Sequence, residues 1–136
     1  MDRFVSFLAH AVYMGTPLLF GTVGEIQNEK SGHLNLGVEG TMAMGACTGF
    51  ITAYKTGSLA LAIIMAFLMG VLVSLVYAFL TITMMANQNV TGLTLTIFGT
   101  GLSNFIGEQM ITASPTGNLK LSDGVMKALK DVKIPL

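Results

Sequence analysis

Apolar positions along this chain fall into four long stretches separated by short polar breaks. Residues 4–24, 34–54, 59–86 and 93–111 each approach or exceed the ~20 residues that a helix needs to cross a bilayer. Runs of this length and apolar content predict membrane-spanning helices. Polar residues collect in the breaks, at residues 25–33, around Lys55 and Gly57, and at Asn87-Gln88-Asn89-Val90-Thr91-Gly92. The predicted fold class is all-α, a polytopic membrane helical bundle of about four transmembrane helices in a single domain over 1–136. A polar tail runs from 112 to 136, with a turn cluster at Ser114-Pro115-Thr116-Gly117-Asn118. Within it, Asp123 to Lys133 reads as a short basic amphipathic helix with Val125, Met126, Leu129 and Val132 on one side. Ile134-Pro135-Leu136 is no natural stop, so the chain looks unfinished: a fragment, a truncated reading frame or one piece of a split protein.

Each span carries a local feature. Pro17 predicts a kink in the first, its freed carbonyl satisfied by a neighbouring hydroxyl, and His10 is expected to bond a backbone carbonyl. No small-residue cleavage site marks that span as a removable signal. In the second, Gly45-Ala46-Cys47-Thr48-Gly49 is a small-xxx-small pattern that lets another helix approach closely. The third would run ~42 Å against ~30 Å of hydrocarbon, so it tilts or emerges, and Gly70, Ser74 and Ala78 mark its expected packing face. The fourth is rich in Thr and Gly, which predicts hydroxyls bonding across helices or lining a polar path. Glu108 near its end is expected to snorkel.

Composition agrees with this pattern. The 136 residues are 52% hydrophobic and 10% charged, against roughly 25% charged in ordinary soluble domains. No Asp, Glu, Lys, Arg or His occurs between Thr56 and Gly107. Lipid is the solvent such a sequence needs. A net charge of zero gives no footing for nucleic acid. One cysteine, Cys47, cannot close an internal disulfide and reads as a small packing residue, and two distant histidines do not make a metal site.

The densest chemistry lies in Ser31-Gly32-His33-Leu34-Asn35-Leu36-Gly37-Val38-Glu39-Gly40. Asn35 is the predicted N-cap of the second helix, and Gly37 and Gly40 allow close backbone approach. Glu39 then falls in the first turn, where the helix dipole favours a carboxylate by ~0.3–1 kcal/mol, whereas mid-membrane it would cost at least ~2.5 kcal/mol. Two readings stand for it: a helix-start residue packed on the connection or paired with Lys30, or a residue in the gate of a transport path. Gly37-Val38-Glu39-Gly40 lacks the lysine of a phosphate loop, and no nucleophile–base pair or metal cluster suggests an enzyme.

That stretch continues through Thr41-Met42 and is preceded by Gly21-Thr22-Val23-Gly24-Glu25. Together they closely resemble a motif of ATP-binding-cassette importer permeases of the branched-chain amino acid, simple sugar and nucleoside type. The Asn-Leu-Gly-Val-Glu-Gly form looks most like the nucleoside branch, which depends on a basic membrane lipoprotein. Asn87-Gln88-Asn89-Val90-Thr91-Gly92-Leu93-Thr94-Leu95 is similar to the family segment that opens the next helix, with Asn89 where a hydrophobic residue is usual.

The resemblance implies a multi-pass protein of the bacterial cell membrane that needs no cofactor of its own. ATP would be hydrolysed by separate ATPase subunits, and a second permease subunit and an extracellular substrate-binding lipoprotein complete the assembly. It implies a permease of about twice this length, whose coupling loop lies one span further on, so this chain is expected to hold only part of the translocation path. Candidate path residues are Asn35, Glu39, Asn89, Thr91, Thr96, Thr100 and Asn104, with Ser31, Gly32, Gly37, Gly40 and Gly92 as structural motif residues. The substrate expected is a nucleoside, with a simple sugar or an amino acid as the alternative within the family. A non-transporting scaffold or remnant is the alternative of another class. Lysine and arginine counts place the N-terminus and tail in the cytoplasm, whereas the family order places the tail outside and the residue 25–35 connection inside. We side with the family order.

Overall fold

The computed structural model describes residues 2–113, Leu121 and residues 123–131. The described residues form helices α1 (Asp2–Lys30), α2 (Val38–Thr56), α3 (Leu59–Ala78), α4 (Gln88–Ala113) and α5 (Asp123–Asp131), with a π-helical turn, Phe79–Thr83, ending α3. Among them there is no strand, and the fold is an all-α bundle. The Arg3–Lys30 and Leu59–Thr83 stretches are long and apolar enough to cross a membrane.

The helix ends explain where the predicted boundaries shift. Residues 25–30 were expected in a connection, yet they contain neither Gly nor Pro and continue α1 to Lys30. Gly32 stops it, with φ of 84°. His33 N donates to Asn28 O and Gly32 N to Glu29 O, the paired bonds of a Schellman ending. Asn35 is not the N-cap of α2. It stands two residues outside Gly37, the observed cap position, and its Oδ1 accepts from Gly37 N at 2.9 Å in an Asx turn. Likewise the expected break at 87–92 is the first turn of α4. Asn87 Oδ1 accepts from Asn89 N and Val90 N, so the cap sits earlier than the loss of apolar character suggested.

Two expectations inside helices also change. The Thr16 hydroxyl donates to Val12 O, one residue away from the Tyr13 carbonyl that Pro17 leaves free. Leu59–Ala86 is not one continuous α-helix. Thr81 Oγ1 donates to Tyr77 O, the acceptor its own amide would take in α geometry, and the chain widens to a π turn there. His10 does bond a backbone carbonyl, that of Ser6, at 2.9 Å.

Helix α2 is the middle element, held between α3 and α4. A Cβ built at Gly49 would meet Ala66 Cβ at 3.2 Å and Ala62 O at 3.4 Å, so the small-xxx-small face does admit α3. Gly40 faces α4 still more closely, against the Leu95 carbonyl and Thr96 Cα. Helix α1 touches α2 where Gly21 meets Met42 and Val38. Gly70, Ser74 and Ala78 are not the packing face of α3. Ala62, Val73 and Tyr77 are buried instead, and Ala62 and Ala66 are the α3 residues that meet the small face of α2. The 70/74/78 stripe borders a cavity.

The chain rises and falls so that its turns gather at two ends. At one end α5 closes under the α2–α3 turn, where Val125, 1% exposed, packs with Ala53 and Ala62, flanked by Leu59 and Leu121. Met126, expected on the same apolar side, is exposed; the side chains of Leu129 and Val132 lie outside the described residues. The opposite end holds residues 31–37 beside the α3 exit and the α4 start.

Candidate functional site

Residues 31–37 leave the helical path, so their backbone groups need partners from elsewhere. In apolar surroundings an unpaired amide or carbonyl costs several kcal/mol, of the order of ~2–7. Side chains from three helices supply the partners. Leu34 N donates to Gln88 Oε1 of α4 at 2.9 Å, and Tyr77 of α3 donates its hydroxyl to Leu34 O at 2.6 Å. Asn35 N donates to Glu25 Oε1 of α1 at 2.6 Å, a charge-assisted bond, while Glu25 Oε2 accepts from Asn28. Thr96 of α4 donates to Leu36 O at 2.7 Å. The non-helical backbone of this loop thus finds its partners within the protein.

Beside the loop lies an open cavity of about 780 Å³. Asn28, Ser31, His33, Asn35 and Thr41 form its polar end, and α3 from Phe67 to Ile82 forms a long, mostly apolar wall broken by Gly70 and Ser74. Among the described residues no Asp, Glu, Lys or Arg lines it. Such a lining can hydrogen-bond a neutral solute at one end and hold an apolar or aromatic face against the other. Among the described residues no three His, Cys, Asp or Glu side chains come together as a metal site would need.

Of the seven residues predicted to line a path, Asn35 borders this cavity, 8% exposed. Glu39 is exposed in the first turn of α2, outside the lining. Asn89 is exposed at the start of α4. Thr91 borders a separate cavity of about 320 Å³ with Leu95 and Phe98. Thr96 is committed to Leu36 O and Thr100 to Thr96 O, and Asn104 is exposed. Of the motif residues, Ser31 lines the main cavity, Gly32 ends α1, and Gly37, Gly40 and Gly92 permit backbone contact between the loop, α2 and α4.

Sequence reasoning missed Glu25, His33, Tyr77 and Gln88 as parts of the site. Glu25 and Gln88 sit inside the two motif segments, which was the available signal. Tyr77 is the lone aromatic hydroxyl of its span, but nothing in its spacing names Leu34 as partner.

Residues 7–126 match the family described as branched-chain amino acid transport system / permease component. Over 117 residues the chain is 41% identical to a putative glucose ABC transporter permease protein of Haloferax volcanii, covering 86% of this chain and 36% of that protein. It is 31% identical to a nucleoside ABC transporter permease protein of Lactococcus lactis, covering 73% of this chain and 33% of the relative. To a guanosine ABC transporter permease protein of Bacillus subtilis it is 32% identical, covering 66% and 30%. The chain thus spans about a third of the length of these curated relatives. No solved structure matches it.

Proposed function

The chain belongs to the branched-chain amino acid transport system / permease component family, and from that premise we propose that it forms part of the translocation path of an ATP-binding-cassette importer for nucleosides. The observation that carries this reading is the cavity beside residues 31–37, large enough for a small solute and, among the described residues, lined by no Asp, Glu, Lys or Arg, with His33 as its one titratable polar-end residue. A nucleoside offers sugar hydroxyls and base edges that Asn28, Ser31, His33 and Asn35 can hydrogen-bond. Its base offers a flat face for the wall that includes Phe67. No charge has to be desolvated at either surface, which keeps the cost of entry and of exit low.

In this reading ATPase subunits, a second permease subunit and an external substrate-binding lipoprotein complete the transporter. Nucleotide binding in the ATPases shifts the permease pair between two packings, each closing one side of the membrane. The seven path residues named from the sequence keep a role in the proposal only as the cavity geometry allows. Asn35 faces solute, and Thr96 holds the loop.

A second reading, uptake of a simple sugar, is favoured by the 41% identity to a relative named for glucose. Uptake separates the two. Cells carrying the chain with its ATPase and binding-protein partners should accumulate labelled adenosine or guanosine, and excess unlabelled nucleoside, not glucose, should suppress it. Glucose uptake without nucleoside uptake would replace the first reading with the second, and uptake of an amino acid alone would sink both.

A further inference from the structure

The loop contacts fix more than backbone position: they fix which ring nitrogen of His33 holds a proton. A backbone amide can only donate, so the group of Gln88 that meets Leu34 N at 2.9 Å is its oxygen. The other end of the same amide, Nε2, lies 3.1 Å from His33 Nδ1 and can only donate. His33 Nδ1 must therefore accept, and the neutral ring carries its hydrogen on Nε2. His33 lines the cavity and Gln88 does not.

We propose that His33 is a specificity-determining hydrogen-bond donor of the cavity, its Nε2–H aimed at an acceptor atom of a neutral solute, with Gln88 as the positioning residue that sets the tautomer. The inference rests on the cavity being the solute site. Groups that suit this donor are a sugar hydroxyl oxygen or an unprotonated ring nitrogen or carbonyl oxygen of a base; a solute presenting only donors there is disfavoured. His10 provides an internal contrast. Its Nδ1 meets Ser6 O, which can only accept, so His10 carries its hydrogen on Nδ1. The two histidines of the chain are thus assigned opposite tautomers.

The first arm needs no solute. Nitrogen NMR of the full chain in detergent, with histidine labelled at both ring nitrogens, is recorded at about pH 8.5, some two units above the ordinary imidazole value of roughly 6.5. One ring should read as Nε2–H and one as Nδ1–H, with His10→Gln identifying the first as His33. A His33 ring protonated on Nδ1 overturns the proposal. In Gln88→Glu a carboxylate replaces the amide donor, and His33 should switch to a ring hydrogen-bonded through Nδ1–H; an unchanged spectrum overturns the role of Gln88.

The second arm is uptake by the assembled transporter, measured with whichever solute it carries. His33→Gln keeps a donor near the Nε2 position and should stay within about twofold of the unsubstituted transporter. His33→Phe should raise KM roughly three- to tenfold with little change in maximal rate, the loss of one neutral hydrogen bond. Equal losses of maximal rate in both variants, with KM unmoved, would make His33 purely structural and overturn the proposal. If glucose and not nucleoside is carried, the substrate reading fails while the KM pattern on glucose still decides the role of His33.

Discussion

A methyl group added at Gly99 of α4 has nowhere to go. Its Cβ would sit 2.6 Å from the Gly40 carbonyl oxygen and 2.8 Å from Gly40 Cα, and these are backbone atoms of a packed helix that cannot rotate away. The reciprocal Cβ on Gly40 meets the backbone of Leu95 and Thr96. Gly99→Ala and Gly40→Ala should each destabilise the bundle by about 1–3 kcal/mol, as overpacking does, seen as a lowered thermal midpoint in detergent. Gly101 and Gly107 lie on the same helix with nothing within 4 Å of a built Cβ. Alanine there should be neutral or should stabilise by up to ~1 kcal/mol through helix propensity. Equal losses at Gly99 and Gly101 would mean that α2 and α4 do not cross at this point. The sequence marked Gly40 as a site of close approach but not Gly99, because a glycine in a Thr- and Gly-rich helix has no pattern that distinguishes contact from open surface.

Among the elements, residues 31–37 depend most on groups that are distant in sequence. Tyr77→Phe deletes the donor to Leu34 O, and Thr96→Val the donor to Leu36 O, each leaving a carbonyl without its partner. Each should cost about 1–3 kcal/mol and speed hydrogen exchange at the Asn35 and Gly37 amides. Glu25→Gln keeps an acceptor for Asn35 N and should lose less than Glu25→Leu, which keeps none. If the Gln and Leu variants exchange alike, the 2.6 Å contact is not what holds the loop. The helices themselves were legible from hydropathy, since length and apolar content suffice to outline a span. Their ends were legible only where one strong signal stood alone, as at Gly57, whose φ of 65° closes α2. Asn35 makes an Asx turn before α2 whereas Asn87 caps α4, and the side-chain chemistry of an asparagine cannot tell the two roles apart without the backbone. The loop's real supports were illegible because Leu34 finds its partners 43 and 54 positions away, beyond the reach of any local period.

At the scale of the whole molecule, the fold groups its cations by end. Lys55 lies beside the α2–α3 turn, and Lys127 is on α5, which Val125 anchors under that same turn, so the two share an end. Lys30 closes α1 next to residues 31–37 at the opposite end. The expected four-span arrangement would put the two ends on opposite sides of the membrane, whichever way the bundle is inserted. Cys47 is the one native thiol, half-buried with only a long 3.8 Å contact to Ser103 O, so Cys47→Ala gives a clean background. In that background Lys55→Cys and Lys127→Cys should react together with a membrane-impermeant thiol reagent, and Lys30→Cys should react only from the other side. Labelling of Lys30→Cys together with Lys55→Cys would break the four-span arrangement. Which pair reacts in intact cells then sets orientation, where two physical arguments oppose each other. The lysine-rich end should stay in the cytoplasm if loop charge decides insertion. The family order instead puts Lys55 and Lys127 outside, and we expect that result, because four of the six charges that oppose it, Lys120, Lys127, Lys130 and Lys133, sit together in the single segment 112–136.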